Sequence, residues 1–552
     1  MSNDSTEEAT TRKGAPPRRA KPPARNELEV VSEDARDRRL LRALDVGNTG
    51  LYPRRVLTEA LVRNGLRTDD VRIAETMKRL TTFAEDTALD GDQMLEVIRP
   101  NVSIIERTLR GNLVIPEFPA FCQEVQEIFE ASAKNETGKV ATYIPQLARV
   151  SPHHFGMALC TVDGQRHSIG DTEVDFSVQS CTKPVNYCIA LEELGEEAFH
   201  RTVGREPSGR GFNELTLNKD NKPHNPMINA GAIATCSLIK NDAPLADRFD
   251  HVMAQWERLS GGRKAGFSNA VYLSERQTAD RNFALGYFMK EKGVFPESAN
   301  LIETLEFYFQ CCSIESNCER MSVIAATLAN GGVCPITGER VLAPSTVRSC
   351  LSLMYSCGMY DFSGEFAFSI GLPSKSGVSG ALMVVVPNTM GFCTWSPRLD
   401  ALGNSVRGIE FCKRLIERFN FHNYDNLVGS MGTKKDPRAR PEDQRADAVN
   451  QLCWAASQGD LLGIQRLVVR GIDLNLADYD GRTALHLAAS EGQAHIVEAL
   501  LARGVTVNPR DRWGNTPLDD ALRGPHAEVA SLLEANGGRR GAVAVPVPST
   551  AS

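Results

Sequence analysis

The sequence predicts an α+β fold, in which helices pack on one antiparallel sheet, with a helical module before this domain and another after it. Two strand pairs with tight turns, near residues 157–169 and 381–395, enclose a helical block. This order is expected when one antiparallel sheet is assembled from both ends of a domain. A motif recurs at a constant spacing near the C-terminus. The length of 552 residues also exceeds what a single hydrophobic core accommodates.

The composition is that of an ordinary globular protein, with 42% hydrophobic and 24% charged residues. A formal net charge of -7 provides no basic surface field, so nucleic acid is not an expected partner. The 14 cysteines include no Cys-x-x-Cys pair and no zinc-like spacing with histidine, which indicates buried thiols in a reducing compartment. No apolar stretch approaches the length of a membrane span, so no membrane association is expected.

Residues 1–37 are predicted to form a disordered arm. Positions 11–25 are basic and free of acids, as in a mitochondrial presequence, but acidic residues precede them and four prolines disfavour an amphipathic helix. The N-terminus also lacks the hydrophobic stretch of a signal peptide. We therefore expect a cytoplasmic protein, with the mitochondrial matrix as the alternative.

Residues 38–135 show helical periodicity interrupted by short polar turns, which predicts a small all-helical module. The turn at 45–50 resembles the start of an EF-hand calcium loop. Val56, however, occupies the twelfth position, where calcium binding needs a bidentate glutamate. The prediction is an EF-hand-like module without calcium, whose simplest role is helix pairing or oligomerisation.

Residues 136–428 mix strands and helices and form the predicted catalytic domain. Asp163-Gly164 joins the strands of the first hairpin, and Pro387-Asn388 begins the turn of the second. The helices between them include residues 319–329, which end at a glycine pair that favours a helix C-terminus.

Residues 429–445 are rich in Lys, Arg, Asp and Pro, which predicts an exposed linker. The run from Gly481 to Ala489 returns as Gly514 to Leu522, and a weaker copy lies at the same distance upstream. The spacing equals the ankyrin period of about 33 residues, and about three such repeats are needed to bury a shared core. The repeats are assigned to residues 446–540 and a disordered tail to 541–552.

The strongest catalytic signal is Ser180-Cys181-Thr182-Lys183, at the start of a predicted helix that ends at Gly195. Ser180 and Lys183 lie on the same side of that helix, so a neutral lysine could accept the serine proton while the helix dipole favours the alkoxide. Alone, the motif is weak, because a serine before a helix is usually only an N-cap. Lys375-Ser376-Gly377, predicted on or just before the strand 381–386, strengthens it. This segment is similar to the third motif of the penicillin-recognising fold and could supply an oxyanion-hole N–H opposite that of Ser180.

A third group of motifs carries polar side chains at positions where a hydrophobic core would need apolar ones. Asn229 begins a predicted helix of small residues, and Glu275 and Asn282 add a carboxylate and a second amide. A free amino acid carries an ammonium group that pairs with a carboxylate, and a carboxylate that accepts hydrogen bonds from neutral donors. The alternative, equally compatible with the spacing, is that Glu275 pairs with Arg276 or Arg281 on a solvated surface.

Six ordered motifs together resemble the serine-dependent glutaminases of the β-lactamase fold, and most closely the animal kidney-type and liver-type enzymes. The similarity runs from about residue 40 through the ankyrin repeats. It implies a β-lactamase/penicillin-binding-like catalytic domain that hydrolyses L-glutamine to L-glutamate and ammonia. The motifs are Tyr143 to Leu147, Ser180 to Pro184, Lys222 to Ala232, Glu275 to Asn282, Tyr360 to Gly364 and Lys375 to Val378.

Carried over by position, the resemblance implies a role for each site residue. Ser180 is the nucleophile, Lys183 is its base, and the N–H groups of Ser180 and Val378 bind the oxyanion. Glu275 binds the substrate ammonium group. The other implied contacts are Tyr143 and Tyr360 near the reacting amide, Asn229 and Asn282 at the substrate carboxylate, and Tyr308 as a further wall.

The resemblance implies no metal or other cofactor, a homo-oligomer in the form of a dimer, tetramer or filament, and phosphate as an activator. It leaves the protein partner of the ankyrin repeats open. Segment 206–215 contains two glycines and a proline, which predicts a mobile loop near the active site. The animal enzymes have a lysine where this chain has Glu214 and a bulkier residue at Gly211, so we expect a weaker response to phosphate here.

Two other functions remain open from the sequence. A penicillin-binding or β-lactamase-like serine hydrolase shares both lysine motifs, but such enzymes normally act outside the cytoplasm and no export signal is seen here. A non-catalytic ankyrin scaffold with a decayed enzyme domain is the second alternative. The intact Ser180, Lys183, Glu275 and Tyr360 argue against it.

Overall fold

The structure is a computed structural model, and it describes residues 33–45, 49–84, 87–209, 211, 214–425, 434–469 and 471–541. Residues 1–32 of the predicted arm and 542–552 of the predicted tail lie outside the described residues. Residues 33–37, assigned to the arm from sequence, already belong to the first helix.

The N-terminal module contains five α-helices and one very short pair of strands in its described part. The two strands pair antiparallel, with Tyr52 opposite Leu89, so the module is not entirely helical as the periodicity suggested. Two-residue strands carry no readable alternation, which explains the difference. The Asp45 carboxylate accepts hydrogen bonds from the backbone N–H groups of Thr49 and Gly50. The elements are α1 Glu33–Leu44, β1 Tyr52–Pro53, α2 Arg54–Arg63, α3 Ala74–Leu80, β2 Ala88–Leu89, α4 Gly91–Ile98 and α5 Val102–Leu109.

The next helix, α6 (Phe118–Ala133), packs with the catalytic domain, although the sequence placed it in the N-terminal module. Phe121 and Ile128 belong to the core on one face of the large sheet, and the Phe129 ring stacks on Phe155 at a centroid distance of 4.1 Å. We therefore propose that the catalytic domain begins before α6 rather than at residue 136.

The catalytic domain is built on a five-stranded antiparallel sheet with the strand order β4-β3-β10-β9-β8. Both predicted hairpins are present. They are joined through β3 and β10, where Leu159 lies opposite Phe392, so the sheet is assembled from both ends of the domain as predicted. The strands are β3 Gly156–Thr161, β4 Arg166–Gly170, β8 Ser374–Ser376, β9 Ala381–Val386 and β10 Met390–Trp395. A small second sheet contains β5 Phe176–Ser177, β6 Gly266–Phe267 and β7 Ile314–Ser316.

The Lys375-Ser376-Gly377 segment lies on an edge strand of its own. The sequence placed it on or just before the strand that continues to Val386. Instead, β8 pairs antiparallel with β9, with Lys375 opposite Met383, and the chain reverses through Gly380 at φ 93°. That reversal directs the backbone of residues 377–379 towards the start of the helix Thr182–Leu194, which is α8.

Helices cover both faces of the large sheet, because alternate side chains of β9 enter two different cores. Met383 and Val385 pack in the core shared with most helices, whereas Leu382 and Val384 pack in the core that includes α6. The helices are α7 Pro145–Ala148, α8 Thr182–Leu194, α9 Glu196–Phe199, α10 Asn229–Cys236, α11 Leu245–Leu259, α12 Asn269–Gln277, α13 Asp280–Glu291, α14 Leu301–Cys312, α15 Cys318–Ala329, α16 Pro344–Cys357, α17 Ser363–Ser369 and α18 Val406–Arg418.

Three helix pairs follow the catalytic domain and share one core. Leu452, Leu485 and Leu518 occupy equivalent positions of the three repeats, and all are buried in it. Thr483 and Thr516 each form a capping box at the first helix of a pair, which explains why the repeat motif is strongest there. The helices are α19 Pro441–Gln458, α20 Leu461–Val469, α21 Ala484–Ser490, α22 Ala494–Leu501, α23 Pro517–Arg523 and α24 Ala527–Ala535.

Residues 434–440, the described part of the connection before these repeats, contact the catalytic domain, whereas the sequence predicted an exposed linker over 429–445. Residues from Pro441 onwards already belong to α19. Lys435 exchanges backbone hydrogen bonds with Arg418 and Asn420, and its side chain pairs with Glu124 at 2.9 Å. The Lys435 side chain is exposed, as a run of charged residues usually indicates, but Lys434 and Lys435 also pair with acids of the catalytic domain.

Candidate active site

Ser180 lies in a 3-10 turn, Gln179–Cys181, that leads directly into helix α8. Its Oγ is 2.7 Å from Nζ of Lys183, which is only 2% exposed. The helix ends at Leu194, where Gly195 adopts φ 77°, a conformation that favours glycine. The two residues of the predicted Ser-x-x-Lys motif are therefore in direct contact.

Burial sets the protonation of Lys183. Loss of solvation lowers the pKa of this amine from its ordinary value, and the nearby Cys312, Cys181, Cys236 and Glu275 act in the opposite direction. A lysine is a useful base only in its neutral form, which a lowered pKa favours.

Tyr360 and the turn after β8 complete the surroundings of Ser180. Burial raises the pKa of the Tyr360 phenol, while the Ser180 hydroxyl and the Val378 backbone N–H, which are within hydrogen-bonding reach, oppose that rise. Tyr360 has a positive φ of 53°, rare for a residue with a side chain, and such strain is typical of functional sites.

Glu275, on α12, lies inside the site and not on a solvated surface. Its Oε1 accepts hydrogen bonds from Tyr143 Oη at 2.6 Å and from Gln179 Nε2 at 3.0 Å. Burial raises the pKa of the Glu275 carboxyl, and these two donors and Lys183 oppose the rise. Arg276 instead pairs with Glu306, so the surface ion pair that the spacing also allowed is not formed.

Tyr143 is exposed over 47% of its surface, yet its hydroxyl end is held at Glu275. Burial of that hydroxyl, followed by the charge of Glu275, raises the pKa of Tyr143 well above its ordinary value. The phenol therefore stays protonated and acts as a hydrogen-bond donor.

Two amides and a third tyrosine that line the same cavity form a hydrogen-bonded chain. Tyr308 Oη donates to Asn229 Oδ1 at 3.2 Å, and Asn229 Nδ2 donates to Asn282 Oδ1 at 3.3 Å. Asn229 begins α10, as predicted, while Asn282 and Tyr308 lie on α13 and α14.

These side chains surround a cavity of about 250 Å³. Every site residue named from the sequence lines it except Lys183, which reaches it through Ser180. The lining residues are Tyr143, Gln179, Ser180, Asn229, Glu275, Thr278, Ala279, Arg281, Asn282, Tyr308, Cys312, Tyr360 and Val378. A second cavity of about 520 Å³ shares Tyr360 with it and is lined by Pro207, Ser208, Gly209 and Gly211, which places the predicted loop near the site.

The sequence reasoning did not assign five of the lining residues to the site, namely Gln179, Thr278, Ala279, Arg281 and Cys312. Gln179 connects Ser180 to Glu275 and adopts φ 49°. The position of Gln179 immediately before Ser180 was the one signal that could have pointed to it.

Among the described residues, no cluster of His, Cys, Asp and Glu has a metal-binding arrangement. In the same part of the chain, no helix is both long and apolar enough to cross a membrane.

The sequence model of the glutaminase family matches residues 138–424, just over half of the chain. The chain belongs to the glutaminase family. An EF-hand domain matches residues 40–116, and three ankyrin repeats match residues 452–539. These matches confirm the resemblance inferred from the six motifs, and with it the fold class of a mixed glutaminase domain between a helical EF-hand module and helical ankyrin repeats.

Several glutaminases are similar to this chain in sequence or structure. The chain is 50% identical over 445 residues to putative glutaminase 2 of Caenorhabditis elegans, covering 78% of this chain and 73% of that one. It is 48% identical over 434 residues to the mitochondrial liver isoform of glutaminase of Rattus norvegicus, covering 78% and 72%. A solved structure of a probable glutaminase, YbaS, is 35% identical with a TM-score of 0.51, and covers 54% of this chain and 95% of that one.

Proposed function

We propose that the chain hydrolyses the side-chain amide of L-glutamine to L-glutamate and ammonia, with Ser180 as nucleophile and Lys183 as its base. The observation that supports this most directly is the 2.7 Å contact between Ser180 Oγ and Lys183 Nζ at a cavity lined by Glu275. Family membership favours this reaction over a β-lactam hydrolase or a non-catalytic scaffold.

In the first step, the neutral Lys183 amine removes the proton of Ser180 as Oγ attacks the amide carbon. The N–H groups of Ser180 and Val378 are the proposed donors to the resulting oxyanion, because the Ser180 hydroxyl and the Val378 N–H both lie within hydrogen-bonding reach of Tyr360. Collapse of this intermediate breaks the C–N bond, and the proton taken by Lys183 passes to the departing ammonia. Water then attacks the acyl-enzyme by the same route and releases glutamate.

Substrate selection is proposed to rest on two groups of residues that line the cavity, one for the α-ammonium group and one for the α-carboxylate. Glu275 pairs with the α-ammonium group, since its carboxylate already collects two donors there. Asn229 and Asn282 bind the α-carboxylate through amide N–H groups, and Tyr308 holds Asn229 in place. A cavity of about 250 Å³ suits a free amino acid better than a peptide.

The test is a coupled glutamate assay on the purified full chain. Ser180→Ala should remove nearly all turnover because the covalent route is lost, and Lys183→Ala should be almost as severe because it removes the base. Ser352→Ala, on an exposed surface of α16, is the matched control and should retain full activity. Near-normal turnover by Ser180→Ala would exclude the serine mechanism.

The resemblance also supports proposals about assembly, regulation and location. We propose a homo-oligomer, either a dimer, a tetramer or a filament, activated by phosphate, and sizing with and without phosphate tests both. The rat relative is named a mitochondrial enzyme, which supports the matrix alternative over the cytoplasm for this chain. Microscopy of a C-terminal fluorescent fusion distinguishes the two locations.

A further inference from the structure

Lys183 and Lys375 are the only buried lysines in the part of the chain that the structure describes. Lys183 is 2% exposed and Lys375 is fully buried, and the closest polar partners of both are hydroxyl or carbonyl groups rather than carboxylates. A buried ammonium group without a carboxylate partner is costly, and two such groups close together are costlier still. The pair therefore favours a state in which only one of the two amines is charged.

The hydrogen-bond partners of Lys375 favour its charged form. Its Nζ donates to the carbonyl oxygen of Ser376 at 2.7 Å and to that of Gly358 at 3.1 Å, and lies 4.7 Å from the centre of the Tyr360 ring. Carbonyl oxygens only accept hydrogen bonds, and the face of an aromatic ring attracts cations. All three partners therefore stabilise an ammonium group.

The contacts of Lys183 do not require its amine to be charged. Its closest polar partner is the Ser180 hydroxyl, which can donate as well as accept, so it bonds equally well to a neutral amine. The Tyr308 ring lies further away, at 5.7 Å from Nζ to the ring centre. Of the two buried amines, Lys183 is thus the one whose contacts tolerate loss of the proton.

The two titrations depend on each other. Burial lowers the pKa of Lys375, and the charge of Lys183 lowers it further, to about 7. That value applies while Lys183 is charged, and the second cause disappears when Lys183 is neutral, so the titrations of the two amines are coupled and the hydrogen-bond partners decide which amine keeps the proton. The other titratable groups that face Lys375 are Cys181, Cys312, Cys357 and Tyr360, and burial raises the pKa of each of them, which keeps them neutral. Glu275 faces Lys183 and acts in the opposite direction.

We propose that Lys375 is a positioning residue that holds the single positive charge of this pair and thereby keeps Lys183 neutral and able to accept the Ser180 proton. This inference rests on the proposed function. The same two hydrogen bonds also tie together two walls of the site, because Gly358 lies shortly before Tyr360 in the chain and Ser376 shortly before Val378.

The test compares kcat/KM for glutamine as a function of pH in the full chain, in Lys375→Gln and in Lys375→Met. Both variants remove a positive charge next to Lys183, and this should raise the pKa of Lys183. The acid limb of the profile, where kcat/KM falls as Lys183 becomes protonated, should therefore move to higher pH by about one unit or more. At neutral pH this corresponds to a loss of about 10-fold that is recovered at higher pH. The Gln side chain keeps an N–H donor for the carbonyl groups, whereas Met does not. Met should therefore also lower the plateau.

Arg248 provides a matched control. It is also a buried cation, 3% exposed, that donates to the carbonyl oxygens of Cys236 and Ile239 and lies 4.4 Å from the centre of the Phe307 ring. It does not line the active-site cavity. Arg248→Met should lower thermal stability and leave the acid limb where it is.

The pH at which kcat/KM falls on the acid side does not depend on the fraction of a variant that is folded. Partial misfolding therefore does not obscure the result. An unmoved limb in both Lys375 variants would overturn the inference, as would an equal movement in Arg248→Met. Failure of the proposed function has a different signature, which is turnover by Ser180→Ala.

Discussion

The acid at residue 275 shows how this site prepares for a charged substrate. Burial opposes ionisation of Glu275, while Tyr143 and Gln179 donate to the carboxylate and favour it. Two donors leave part of its hydrogen-bonding capacity unused. An incoming ammonium group would both fill that capacity and compensate the buried charge, so binding energy should concentrate on this residue.

Glu275→Gln is expected to raise KM for glutamine about 10- to 100-fold, because a charge-assisted contact of about 1.5–3 kcal/mol is lost. Steady-state assays over a wide range of glutamine concentrations measure it. Glu306→Gln is the control, because Glu306 pairs with Arg276 outside the cavity and should leave KM unchanged. An unaltered KM in Glu275→Gln would place the ammonium site elsewhere.

Sequence reasoning predicted which residues form the site better than it predicted the hydrogen bonds between them. Ser180, Lys183 and Glu275 belong to motifs that can be recognised by type and order. Gln179 adopts a strained φ and links two of these motifs, which only the folded backbone shows. Lys375 was noticed as part of a motif, but its contact with the Gly358 carbonyl joins two separate segments of the chain and could not be read from spacing.

At the scale of elements, helix α15 crosses the large sheet at a glycine. A Cβ atom added at Gly391 of β10 would lie 2.1 Å from the backbone nitrogen of Ala326 and 2.2 Å from the carbonyl carbon of Ala325. Both neighbours are main-chain atoms of a helix and cannot move independently. The close approach of α15 to β10 therefore depends on the absence of a side chain at residue 391.

Gly391→Ala should destabilise the catalytic domain by at least about 2 kcal/mol, since overpacking forces a helix away from the sheet. Urea unfolding is followed by tryptophan fluorescence, whose change reports mainly on this domain because Trp256 and Trp395 are buried, whereas Trp454 and Trp513 of the repeats are exposed. Gly364→Ala is the control because it lies in helix α17 with no atom within 4 Å of an added Cβ. It should be neutral or slightly stabilising. Equal stability of Gly391→Ala and wild type would contradict this account of the contact.

The loop at 206–215 carries the predicted difference in phosphate response. The Glu214 carboxylate accepts a hydrogen bond from the backbone N–H of Gly211 at 3.0 Å, and residues 210, 212 and 213 lie outside the described residues. Glu214→Lys replaces an anion with a cation and removes that acceptor, so the ratio of turnover with and without phosphate should increase at constant ionic strength. Glu297→Lys, an exposed control away from the loop, should not change the ratio. A large ratio in the unmodified chain would show that phosphate acts elsewhere.

Among the helices and strands, the sequence best predicted those whose signals lie close together in the chain. Hairpins and capped repeat helices were found because their turn and cap residues are adjacent in the chain. The packing of α6 on the sheet was not found, because its partners lie in distant parts of the chain. The separate edge strand β8 was missed because it depends on a backbone reversal at Gly380.

At the scale of the whole molecule, residues 434–440 connect the catalytic domain to the ankyrin repeats and contact the catalytic domain. Lys434 pairs with Asp425 at 2.9 Å, and Lys435 pairs with Glu124 of α6. Arg438 donates to Asn420 and lies 6.0 Å from the centre of the Phe421 ring. The repeats beyond residue 441 have their own hydrophobic core, so we propose that the boundary between folding units lies after this segment rather than before it.

Two truncations test that boundary. A chain ending at residue 440 and a chain ending at residue 432 should both retain glutaminase activity, because neither removes a residue that lines the cavity. The longer chain keeps two backbone hydrogen bonds and two ion pairs with the catalytic domain, which together contribute about 1–2 kcal/mol. Its Tm should therefore exceed that of the shorter chain by a few degrees, about 2–4 °C per kcal/mol for a domain of this size. Equal Tm values would show that residues 434–440 are only a linker. Insoluble or inactive protein from the longer chain would show instead that the ankyrin repeats are needed to complete the core of the enzyme.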